Sequence, residues 1–303
     1  MAIGKKKLSE KTKWILYGAG GFLVLLIGLV MIFGTPSAES VFKDMNDTML
    51  KTKSVTVDQT MAVKSTSGNA DIKSSLYMDM NSSASLLAKG TFSLNMTSDS
   101  SPITVSGDVI RIGSSDYVKY SNISSTDSSL ESSFSQVDAK LKDNWIKVRS
   151  SDQFASLAES PLKFTTSVLP TPYANLNDSQ RKTVLTILQD KSTYTIDESS
   201  KVDVGGVSAY KYNISYNHDQ YKKVVSAITG FVSYFKDDSS SSSDSLKGLT
   251  VWVDISTKQI IKIEFTGTST SGDVTGTISF SGYNQVKTVE KPADYFIESE
   301  LLQ

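Results

Sequence analysis

A single histidine, His218, stands beside Asp219, and any imidazole general base in this chain would have to be that residue. No nucleophile is offered to it. The sequence contains no G-x-S-x-G elbow, no Walker A loop and no dinucleotide fingerprint. With 0 Cys and 1 His, thiol nucleophiles, disulfides, Cys-based zinc sites and multi-His metal cages are all excluded. The acids Asp237, Asp238 and Asp244 lack the spacing of a calcium loop. His218 therefore reads as a surface residue in the first turn of a helix. The chain reads as a non-enzyme, with no catalytic residue, no metal site and no cofactor.

The residues that invite a functional reading are apolar. Met45, Met49, Met61, Met78, Met80 and Met96 carry flexible, polarizable thioethers that adapt to irregular apolar surfaces. One reading is plain core filling. The other is a deformable lining for a hydrophobic ligand, formed by Met61, Met78, Met80, Phe92 and Met96 on strands together with Val225, Ile228 and Phe231 on a helix. Trp252 lies between Val251 and Val253, so it faces away from them, either on the outside of the sheet or into a cavity.

Charge gives no partner. The 31 Lys plus Arg against 32 Asp plus Glu leave a net charge of -1, with no field to hold a nucleic acid. Ser and Thr make up roughly a quarter of the 303 residues, an excess that suits solvent-facing strand positions and polar loops.

Placement is more legible. Trp14 to Phe33 is an uncharged apolar stretch of about 20 residues, the length that crosses a bilayer as helix. Lys5, Lys6, Lys7, Lys11 and Lys13 precede it, and the first charge after it is Glu39. The positive-inside rule then keeps residues 1–13 in the cytoplasm and places 34–303 outside the membrane. The rival is a cleaved signal peptide, whose apolar region is shorter, about 7–15 residues. We read 14–33 as a retained single-pass signal anchor of the cell membrane.

Beyond the anchor, Pro36 marks a helix start, and Val41, Phe42, Met45 and Met49 recur on one helical stripe. From Ser54 the period becomes two: Val55, Val57, Met61 and Val63 alternate with polar residues, as a strand with one buried face requires. Leu76–Met80, Phe92–Met96, Ile103–Val105, Ile110–Ile112 and Tyr117–Tyr120 repeat the pattern as an antiparallel meander. Ser121 to Ser135 reads as a loop, with a short amphipathic helix of Leu130, Phe134, Val137 and Leu141 extending from its end. Trp145 to Val148 is a strand, Gln153 to Glu159 a helical turn, and Asp178 to Gln189 a helix. Strands follow at Tyr194–Ile196 and Val207–Tyr216, then a helix capped by Asn217 with a stripe from Tyr221 to Phe235. Asp237 to Ser245 is a polar insertion with too few apolar groups to order itself. A hairpin, Leu249–Ile255 with Ile260–Phe265, and a strand from Val274 to Tyr283 close the chain. About ten strands and three helices without a βαβ rhythm argue an α+β domain built on one large antiparallel sheet with helices on one face.

Four segments carry a family resemblance. Trp145-Ile146-Lys147-Val148, Val204-Gly205-Gly206-Val207 running to Tyr212, Trp252-Val253-Asp254 with Ile260-Ile261-Lys262, and Phe280-Ser281-Gly282-Tyr283-Asn284 ahead of Pro292 resemble the successive strands of the LppX/LprG-like lipid-carrier lipoproteins, within the LolA/LolB-like fold. The resemblance covers roughly residues 38 to 298 and implies a curved antiparallel half-barrel around helices, with acyl chains held between sheet and helices. Two departures stand out. The lipid-attached Cys is missing, with the apolar stretch in its place, and Lys258 stands where the family's hairpin turn has glycine. The expectation is a membrane-anchored extracytoplasmic protein that binds a lipid or other hydrophobic ligand. The alternative is a structural or adhesive surface protein with a filled core.

Overall fold

The computed structural model describes residues 35–66, 68–98, 101–148, 174–232, 245–269 and 272–301. Among them no helix is long and apolar enough to cross a membrane. The expected anchor at 14–33, the helical turn at 153–159 and most of the polar insertion, 237–244, lie outside the described residues.

Eleven strands form one sheet: β1 (Ser54–Ser65), β2 (Gly68–Asp79), β3 (Leu87–Ser98), β4 (Ser101–Ile112), β5 (Ser115–Ser125), β6 (Trp145–Lys147), β7 (Tyr194–Val204), β8 (Val207–Tyr216), β9 (Ser245–Asp254), β10 (Ile260–Ser269) and β11 (Gly272–Ser281). The helices among the described residues are α1 (Ala38–Met49), α2 (Ser128–Leu141), α3 (Asp178–Leu188), α4 (His218–Thr229) and the short α5 (Glu298–Leu301). The spatial order is β6-β5-β4-β3-β2-β1-β11-β10-β9-β8-β7. Every strand therefore pairs with its sequence neighbour, except that β11 returns to β1 and the sheet opens between β6 and β7. All pairings are antiparallel. An open, sequentially wound sheet of this kind is what a half-barrel requires.

The α+β reading and its meander are found, with some boundaries moved. The runs at Ile103 and Ile110 belong to the single strand β4, and β7 runs on from Ile196 to Val204. The stretch read as a loop from Ser121 is strand as far as Ser125 and helix from Ser128. Its Ser-rich composition hid a strand because the hydroxyls there take partners: Ser125 Oγ donates to the Pro102 carbonyl at 3.0 Å.

Local chemistry starts and stops these elements. Asn177 and Gln180 form a reciprocal capping box at α3, and the Asn217 side chain accepts from the Asp219 and Gln220 amides at α4. Gly205 (φ 59) and Gly206 (φ 86) make the two-residue turn between β7 and β8, where two left-handed residues match the twist of the strands.

The sheet has two unlike faces. Inward on β1 point Val55, Val57, Gln59 and Met61, at 0, 1, 2 and 6% exposure; outward lie Thr56, Asp58 and Thr60. The C-terminal segment straps the outer face. Asn284 accepts from the Lys53 amide, and the Lys287 amide donates to the Tyr77 hydroxyl. The Thr288 carbonyl accepts from Lys89, the Tyr295 ring meets Tyr117, and Phe296 bridges to Ile146 on the edge strand β6. That path follows one register row, Tyr77–Lys89–Ile110–Tyr117, and so covers the apolar residues of an otherwise polar face.

Candidate functional site

The inner face is built row by row. Antiparallel register puts Val57 beside Leu76 and Phe280, all at most 6% exposed. The next row carries Tyr120, Gly107, Phe92, Ser74, Gln59 and Ile278 side by side. The row after that holds Leu94, Ile72, Met61, Gly276 and Phe265.

A glycine lets two large rings meet on this surface. Phe92 and Tyr120 meet edge to face at 6.4 Å, reaching across Gly107 on the strand between them. A Cβ at Gly107 would stand 2.3 Å from the Lys119 carbonyl oxygen, so the backbones approach there as only glycine permits.

Burial then changes along the strands. At the hairpin-tip end, Val63, Ala70, Met96, Ile103 and Val274 share one register row, and all five are half-buried. Four interstrand spacings make that row roughly 19 Å wide. The inner face is thus buried along most of its length and becomes a half-buried apolar lip at the hairpin-tip end.

α1 sits against the inner face on the β8 side, where the Phe42 ring meets Tyr212 at 5.2 Å and Tyr194 at 5.8 Å. α3 and α4 form a separate apolar cluster with Leu50, Ala174, Leu176, Val184, Leu188, Val224, Ile228 and Val232. Asp47 ties the two helical parts together. It accepts from Arg181 Nε at 2.7 Å and from Lys51, so a carboxylate on α1 holds a guanidinium on α3.

The residues expected from sequence fall in three places. Met61, Met78, Phe92 and Met96 share the inner face, the first three at 4–6% exposure. Met80 lies one residue past β2, 2% exposed, its amide bonded to the Lys53 carbonyl. Ile228 belongs to the α3–α4 cluster, with Phe231 packed against it, and Val225 is half-buried on α4. Ile72, Phe265, Ser74 and Gln59 were missed. The period-two signal would have found them had β2 been followed back from Leu76 and the polar members of the alternation been counted.

The inner rows named above carry no acid, base or nucleophile beyond hydroxyls. Burial and the neighbouring Tyr210 push the Tyr212 phenol far above its ordinary value, so it stays neutral. Among the described residues no group of three or more His, Asp or Glu is placed to hold a metal ion. His218 lies exposed at the start of α4. Trp252 is on the outer face, with Lys262 4.8 Å and Lys211 5.6 Å from its ring centroid. A depression of about 360 Å³ crosses β2, β1, β11 and β10. Its lining combines outward-pointing residues such as Thr60, Lys73, Glu264 and Thr277 with Met61, Ile72, Phe265 and Gly276 of the inner row.

No family model matches the chain, and no curated protein matches it. Among solved structures it is similar to LprF from Mycobacterium bovis, at 13% identity over 86% of this chain and 100% of that one, with a TM-score of 0.46. It is also similar to a LolA superfamily protein from Nitrosomonas europaea, at 9% identity over 84% of this chain and 95% of the other, TM-score 0.21. A third is an outer membrane lipoprotein-sorting protein domain from Vibrio parahaemolyticus, at 8% identity over 82% and 92%, TM-score 0.25. At such scores these neighbours assign no role to any residue of this chain.

Proposed function

We propose that this chain is a membrane-anchored, extracytoplasmic binder of a lipid or other hydrophobic ligand, taken up between the inner face of the sheet and the helices. The observation that carries the reading is the half-buried register row Val63, Ala70, Met96, Ile103 and Val274, continuous with the buried rows behind it. An apolar lip leading onto an apolar face is the form a site for an acyl chain takes. The work is passive: each buried CH₂ contributes about 0.8 kcal/mol, and no bond is made or broken. The lining would be Met61, Met78, Met80, Phe92 and Met96, with Val225, Ile228 and Phe231 contributed by α4 and the turn after it. The apolar stretch 14–33 would hold the protein in the membrane, with residues 1–13 inside and 34–303 outside.

A structural role with a filled core is the second reading. It is favoured by the near-complete burial of Phe92, Phe265 and Ile278, at 4, 3 and 0% exposure. Native mass spectrometry of purified segment 35–303 separates the two. A binder arrives with lipid-sized added mass that is lost on delipidation and regained on exposure to lipid. A bare mass under every condition would leave the structural role.

A further inference from the structure

The middle of the inner face holds a polar spot for which the fold alone has no use. Ser74 is 7% exposed, and its Oγ is buried with no hydrogen-bond partner. Gln59, 2% exposed, is its register partner on β1, and Phe92 flanks it on β3. The rows on either side bring Val57 and Leu76 above the pair and Met61 and Ile72 below it. A hydroxyl left unpaired in such surroundings is a standing cost, and a valine or alanine would serve the strand better.

We propose that Ser74, with Gln59 beside it, is the station that holds the carbonyl of an acylated ligand, so that the compartment selects acyl esters over plain hydrocarbons. This rests on the apolar-ligand reading above and adds the ligand's chemical class to it. The Ser74 hydroxyl donates to the carbonyl oxygen, and the chain on either side of the ester lies along the apolar rows. The same hydroxyl leaves a hydrocarbon with nothing to accept from it, which is how a single buried donor discriminates between chains of equal length.

The test uses the full chain held in lipid-free amphipol and two probes, methyl palmitate with a ¹³C carbonyl and hexadecane. In the parent protein the bound ester's carbonyl stretch moves to lower wavenumber, as a hydrogen-bonded carbonyl does. In Ser74→Ala the ester still binds, about tenfold more weakly, and its band returns to the unbonded position. Hexadecane binding is unchanged by that substitution, and Ser74→Thr, which keeps the hydroxyl, restores the shifted band. Removing an unpaired hydroxyl takes no partner from any other group, so Ser74→Ala melts no lower than the parent. An ester band that is the same in parent and Ser74→Ala, with both probes bound, overturns the station and leaves the compartment standing. Failure of the parent to take up either probe overturns both.

Discussion

The Phe265 ring lies over Gly276, its register partner on β11, so closely that a Cβ on Gly276 would stand 2.2 Å from the ring's Cζ. The glycine is the floor on which the aromatic rests, an arrangement that fixes the register of β10 against β11. Gly276→Ala is expected to cost about 1–3 kcal/mol through overpacking, read as a lower urea midpoint. Phe265→Leu in the same chain should recover part of the loss, because the two positions couple. An unchanged midpoint in Gly276→Ala would show that the ring moves aside freely.

Lys258 holds the left-handed position of the β9–β10 turn at φ 62. Its amide donates to the Asp254 carbonyl at 2.9 Å, and the Asp254 carboxylate accepts from the Ser256 and Thr257 amides. The turn geometry is therefore kept without glycine, at the cost of a strained residue. Lys258→Gly should raise stability by about 0.5–1 kcal/mol once glycine's greater unfolded freedom is deducted. Thermal melting decides it, and a lower midpoint would mean that the lysine's own hydrogen bond to the Ile255 carbonyl outweighs the strain.

Two partly buried carboxyls, Asp47 and Asp254, contribute to the loss of stability in acid. Partial burial pushes Asp47 up, but the hydrogen bonds and charges of Lys51 and Arg181 more than offset this and hold it below the ordinary value of 3.8. Partial burial likewise opposes, and the hydrogen bonds from Ser256 and Thr257 outweigh it, at Asp254. Both bind protons less readily folded than unfolded. Their contribution is therefore complete above 3.8 and is lost as pH falls through the lowered folded values. Urea midpoints measured from about pH 6 down to about pH 2.5 should fall in the parent and fall less steeply in Asp47→Asn. Parallel curves would remove Asp47 from the account.

Depth along the inner face should govern tolerance to charge. Met78 is 4% exposed, whereas Met96 lies half-buried on the lip. Met78→Asp buries a carboxylate without a partner and should cost several kcal/mol, enough to unfold the domain. Met96→Asp leaves the carboxylate in reach of water, so the domain stays folded and its lipid capture is reduced. Circular dichroism melts paired with lipid mass spectra test both, and equal melting of the two variants would deny that the lip is open.

Topology is testable in intact cells. Protease added outside should remove the segment from about Thr35 onward and leave a small membrane-bound stub. A mature soluble chain beginning near Glu39 would show instead that the apolar stretch is cleaved.

Strand identity was legible because it is local: Val55, Val57, Met61 and Val63 alternate with polar neighbours, and alternation is what a one-sided strand requires. The stripe Val41, Phe42, Met45 and Met49 was legible for the same reason, and all four are buried on α1. The end of β5 was not legible, because Ser124 and Ser125 acquire their strand character from β4, through Thr104 and Ile103, and not from their own pattern.

By itself the sequence determined which residues share a strand face, that the architecture is α+β, and that no cysteine or multi-histidine chemistry exists here. The return of β11 to β1 was decided only in three dimensions, since it joins Val57 to Phe280 and no local period encodes so distant a pairing. The same holds for Trp252. Its neighbours Val251 and Val253 place it opposite themselves, but only the register that brings Lys211 and Lys262 to either side puts the ring outside, where two ammonium groups meet its face. Ser74 and Gln59 followed the inward alternation without the hydrophobicity that announces it. Their place at the centre of an apolar face emerges only when six separate strands are laid side by side.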